Sequence, residues 1–131
     1  MSNLFLYIQV RNNRNNITYN NESIDFVKKT KPSVIVYDID NHSDNLTFHY
    51  ANSLIKEAEK VLVFFELEED ASLKQMMALL NNLLDKPDSL KLLIKGNNER
   101  LEKTISILDY QKIKENTHEI NILETILREF L

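Results

Sequence analysis

Apolar residues along this chain fall in two rhythms. Short, nearly unbroken runs, "LFLYIQV" (4–10), "VIVYDI" (34–39), "VLVFF" (61–65) and "LKLLI" (90–94), have the pattern of strands buried on both faces. Between them the spacing changes to that of helices. Leu73, Met76, Met77, Leu80, Leu83 and Leu84 share one stripe, with Ser72 and Gln75 placed as a capping box ahead of it and Pro87 beyond its end. Ala51, Leu54, Ile55 and Ala58 form a similar stripe before the third run, and Leu101, Ile105 and Leu108 form another after the fourth. The segment from Glu22 to Lys31 predicts a first helix. A last helix presents Ile120, Leu123, Leu127, Phe130 and Leu131 on one face, with Asn116 and Glu119 as its capping pair. Ahead of it, Tyr110 and Ile113 in "DYQKIKEN" alternate with polar residues as in an exposed edge strand.

Read in order, these elements give five βα units in one domain covering residues 1–131. The fold class expected is α/β, a three-layer sandwich with a mostly parallel five-stranded sheet. Right-handed crossovers favour the flavodoxin-like strand order 2-1-3-4-5. One tension accompanies that order. It puts "VIVYDI" at an edge, although this run is as apolar as a central strand, and a Rossmann-like order or a covering partner chain would relieve the conflict.

Composition narrows the chemistry. The formal charge of -4 supplies no basic surface for nucleic acid or anionic lipid, so neither is expected as a partner. With no cysteine, thiolate metal sites and thiol nucleophiles are excluded. No apolar run is long enough to span a membrane, and the amino terminus lacks the basic leader of a signal peptide, so a cytoplasmic location is expected. A single glycine, Gly96, rules out Walker and G-x-G-x-x-G phosphate loops, and no cofactor is expected. The asparagine-rich "RNNRNNITYNN" reads as a polar loop.

In a parallel sheet, ligands bind at the carboxyl ends of the strands. Those ends carry Arg11 and Arg14 after the first run, Asp38 and Asp40 in the second, Glu66 after the third, and Lys95 with Gly96 after the fourth. With order 2-1-3 the arginines are expected to lie between two acidic strand ends and to compensate them. Asp40, Ser43 and Asp44 are expected to make a turn and a helix cap, and no metal site is expected. An anion beside Lys95 and Gly96 is the competing use of "KGNNE", against a turn that needs positive φ.

The stretch "VIVYDIDN" resembles the D-x-D strand end of the haloacid-dehalogenase phosphatases, which would make Asp38 a nucleophile. The chain departs from that family in placing the motif on its second strand, in following it with Asn41 and His42, and in lacking a hydroxyl after "VLVFFE". A calcium loop counted from Asp38 has Ser43 where glycine is required and His49 where glutamate is required. A phosphoacceptor receiver domain would share the fold, but Arg11, Glu66 and Lys95 occupy its acidic, aspartate and hydroxyl positions. The expected function is thus a non-catalytic interaction or regulatory domain on a scaffold without cofactor loops. It would work through a protein partner or a homodimer, and Ile122 and Ile126, beside the core stripe of the last helix, are the candidate interface. The alternative is a small hydrolase or transferase using the acidic and arginine rim, with Glu66 or Asp38 as base or nucleophile and Arg11 holding an anion.

Overall fold

Each apolar run becomes a strand in the computed structural model of the chain, which describes residues 2–19, 21–114 and 118–131. The strands are β1 (Leu4–Val10), β2 (Ile35–Asp40), β3 (Val61–Leu67), β4 (Leu90–Gly96) and β5 (Tyr110–Ile113). They form one sheet in the order β2-β1-β3-β4-β5. Every pairing is parallel. This is the flavodoxin-like α/β arrangement, and "VIVYDI" and "VLVFF" lie on either side of β1.

Alternation along the strands divides the interior into two cores. Leu4, Leu6, Ile8 and Val10 of β1 and Val61, Val63, Phe65 and Leu67 of β3 point to one side. There they meet α2 (Asn45–Glu57), α3 (Met77–Leu84) and α4 (Glu99–Thr104). Phe5, Tyr7, Leu62, Phe64 and Leu93 point to the other side, covered by α1 (Glu22–Thr30) and α5 (Glu119–Glu129). Burial on both faces explains why β1 and β3 read as continuous apolar runs.

The helix predicted from Leu73 begins differently. A 3₁₀ turn, Lys74–Met76, precedes α3, and the Ser72 hydroxyl accepts from the Lys74 amide instead of entering a capping box with Gln75. The buried stripe is Met76, Leu79, Leu80 and Leu83, so Leu79 takes the place expected for Met77, which is 42% exposed. α4 stops at Thr104, and Ile105 and Leu108 enter the core from the turns that follow. At α5 the cap is His118, whose ring accepts from the Ile120 amide, while Asn116 lies outside the described residues. Ile126 is buried and Ile122 half-buried against the α1/α5 core, so the second apolar line of the last helix is largely absorbed within the chain.

Candidate functional site

The carboxyl edge of the sheet is where the charged strand ends gather. β1 and β3 bring Arg11 and Glu66 together, with the guanidinium 2.6 Å from Glu66 Oε1. The other oxygen, Glu66 Oε2, accepts a short hydrogen bond from the Tyr7 hydroxyl. That hydroxyl accepts in turn from Asn21 Nδ2 at 2.7 Å. Asn21 also caps α1 by accepting from the Ser23 and Ile24 amides. Tyr7 is fully buried, and burial first, then the Glu66 carboxylate, pushes its phenol far above the ordinary value.

A second ion pair closes the other side of this network. Lys95 at the end of β4 meets Glu119 Oε2 at 2.7 Å, and Ser23 donates to Glu119 Oε1 at 3.3 Å. The hydrogen bond to Glu119 raises the Lys95 ammonium above its ordinary value. Two cations and two carboxylates therefore neutralise one another across β1, β3, β4 and α5. Both oxygens of Glu66 already accept hydrogen bonds from within the chain.

Three buried amides close the loops around this network. Gln9 accepts from the Thr18 amide at 2.9 Å and donates to the Thr18 carbonyl at 2.7 Å. Asn41 exchanges hydrogen bonds with both backbone groups of Arg11 and donates to the Ser72 carbonyl at 3.0 Å. Asn98 caps α4 through the Leu101 amide and donates to the carbonyls of Glu68 and Ala71. Each amide mimics a peptide group and satisfies loop backbone that would otherwise be buried without partners.

The expected charge compensation is therefore found on one flank of β1. Arg11 pairs with Glu66 of β3, whereas β2 approaches Arg11 through Asn41 and through His42 Nε2, which lies 2.8 Å from the Arg11 carbonyl. Asp38 is exposed, and Asp40 accepts from the His42 amide while its own amide donates to the Ser43 hydroxyl. Asp44 caps α2 through the Thr47 amide, and hydrogen bonding by Thr47, its side chain first and then its amide, lowers the Asp44 carboxyl below the ordinary value. The turn and cap expected of "DIDNHSD" are both present. Among the described residues no three histidine or carboxylate side chains converge as a metal site.

Gly96 has φ +94°, and a Cβ there would lie 2.3 Å from the Leu67 carbonyl oxygen. The backbone of β3 fills the space beside it. The start of α4 is occupied too, since Asn98 takes the Leu101 amide and Glu102 accepts from the Asn98 amide. With Glu99 also in that first turn, negative charge already faces these amides. Arg14 sits in an exposed 3₁₀ turn, Arg14–Asn16, apart from the network. Tyr7, Gln9, Asn21, Asn41, Asn98 and Glu119 are participants that the strand-end reading of the sequence passed over.

The clefts at this edge lie around Asp70–Ser72 and the exposed side of α4 rather than at Arg11 and Glu66. A further cleft of about 490 Å³ opens at the opposite, amino edge, between the starts of β4 and β5. No described helix is long and apolar enough to cross a membrane. In comparisons with family models, curated proteins and solved structures, nothing matches the chain.

Proposed function

We propose that this domain is a non-catalytic, cytoplasmic interaction or regulatory module, and that its partner is another protein chain, a second copy included. The observation that carries this reading is the closure of the carboxyl edge. Arg11, Glu66 and Lys95, the rim side chains that could bind a phosphate or act as a base, are engaged with one another, with Tyr7 or with Glu119, while Asp38 and Arg14 stand exposed apart from them. Catalysis needs groups aimed at a space that substrate can enter. Exposed apolar side chains are found instead on the flank of the sheet, at Ile35, Leu46 and Tyr50.

Thermal unfolding in the presence of inorganic phosphate, nucleoside mono- and diphosphates, flavin mononucleotide, Mg²⁺ and Ca²⁺ tests the reading. The expected result is an unchanged melting temperature with each. A ligand that binds the folded state at about a hundred times its Kd would add roughly 2.7 kcal/mol, a rise of about 5 °C or more for a domain of this size. Such a rise, abolished in the Glu66→Gln variant, would overturn the proposal and establish the hydrolase or transferase alternative at the Arg11–Glu66 rim.

A further inference from the structure

β2 is one of the two edge strands of the sheet. Natural edge strands are blunted by lysine, proline, bulges or short length. β2 has none of these in its first half, and its sequence suits a strand with two neighbours. Its odd-numbered residues bond to β1, as the amides of Ile35 to Asn3 and of Asn41 to Gln9 illustrate. Even-numbered residues therefore face outward. Both ends of that outer row are plugged: the Val34 amide donates to the Lys31 carbonyl, and Ser43 takes the amide of Asp40 and donates to its carbonyl. The outward N–H and C=O groups of Val36 and Asp38 remain.

The two flanks of this short edge differ in chemistry. On the α2 side stand Ile35, 40% exposed, Tyr37 stacked on Tyr50 with ring centroids 5.1 Å apart, and Leu46, 76% exposed. A cleft of about 220 Å³ between Ile35 and Leu54 continues this apolar strip. On the α1 side the exposed β2 side chain is Asp38, next to an α1 that exposes Asp25, Lys28 and Lys29, and Asp44 is exposed at the cap of α2 near the same end of the strand. Neither Asp38 nor Asp44 has an ion-pair partner among the described residues.

From this juxtaposition we propose that β2 accepts an added strand from a partner protein, an extended segment in which apolar residues alternate with basic ones. Main-chain bonds to Val36 and Asp38 would hold the segment. Its apolar side chains would lie against Ile35, Tyr37, Tyr50 and Leu46, and its basic side chains, on the opposite face, would meet Asp38. Charge selects this occupant over a second copy of the chain. Two β2 strands paired antiparallel about Tyr37 would make the two Asp38 residues diagonal neighbours about 7–8 Å apart on one face, like charges that disfavour that pairing. The inference rests on the interaction reading above and gives it a location and a partner chemistry.

The probe is a blocked heptapeptide of alternating lysine and valine, followed by amide hydrogen exchange of the protein. The controls are a heptapeptide of the same composition with its lysines grouped, and an alternating glutamate–valine peptide. The alternating basic peptide is expected to slow exchange at Val36 and Asp38 about tenfold, as outer-edge amides become paired. Asp38→Lys is expected to weaken binding at least about fivefold, the scale of one exposed charge pair turned repulsive. Val36→Pro, which deletes an outward N–H and leaves the β1 ladder intact, is a second variant expected to abolish protection. Unchanged exchange at Val36 and Asp38, or equal protection by the grouped or acidic peptide, overturns strand addition. If the small-ligand panel is also silent, the interaction reading itself stands. Protection that appears on raising the protein concentration without peptide names a second copy as the occupant and overturns the partner proposed.

Discussion

Gly96 shows how one residue can be needed for two reasons. Its φ lies in a region that side chains rarely adopt, and its α-carbon lies against the β3 backbone, which cannot turn aside as a long side chain would. Gly96→Ala is therefore expected to destabilise the fold by about 3 kcal/mol or more, combining strain with displacement of a neighbouring strand. Urea unfolding measures it, and a loss below about 1 kcal/mol would show that the β4–α4 turn relaxes freely. Among the described residues Asp70 is the other positive-φ position, at 62°, a conformation that aspartate visits more readily than most residues. Asp38, by contrast, supports nothing within the chain that the structure describes, so Asp38→Asn should be nearly neutral for stability.

Among the elements, α4 is short enough that its cap decides whether it forms. Six residues give little intrinsic helicity, and Asn98 both caps them and holds the carbonyls of Glu68 and Ala71. Asn98→Ala should lose about 2–4 kcal/mol by equilibrium unfolding, the sum of a cap and buried hydrogen bonds left without a donor. A loss under 1 kcal/mol would show that water replaces the amide. Strand and helix order were legible in the sequence because burial on both faces and burial on one stripe leave different rhythms, and five alternating elements constrain topology strongly. Helix rotation was less legible. Met77 and Leu79 are both apolar, and only the 3₁₀ turn ahead of α3 decides which faces inward. At the carboxyl edge Glu66 and Lys95 stood out as charges ending apolar runs. Tyr7 and Gln9 were hidden inside such a run, and Asn41 and Asn98 looked like ordinary turn residues. Their partners are hydroxyl, carboxylate and backbone groups of segments distant in sequence, which local pattern does not encode.

For the whole molecule, the buried phenol and the Lys95 ammonium make stability depend on alkaline pH. Both groups hold their protons more tightly when folded, so their contribution is constant below the ordinary values near pH 10 and is lost as pH rises above them. Tyr7 dominates, because Lys95 is 44% exposed and its pair is screened by solvent. Stability should fall by up to about 1.4 kcal/mol per pH unit above pH 10 on account of Tyr7. Tyr7→Phe should be less stable at pH 7, having left Asn21 and Glu66 short of a partner, yet should decline less steeply between pH 10 and 12. Parallel slopes in the two proteins would show that the phenol does not govern alkaline unfolding. The interior position of β1, between β2 and β3, bears also on how the chain is made. Its seven buried residues precede both of their partners in synthesis, and the ladder to β3 starts at Leu4 and Val61. At roughly 5–20 residues per second, several seconds pass between them, during which a strand apolar on both faces waits on the ribosome without its neighbours. Shielding of that nascent segment, by the exit tunnel or a chaperone, is therefore expected to bear on the yield of folded protein.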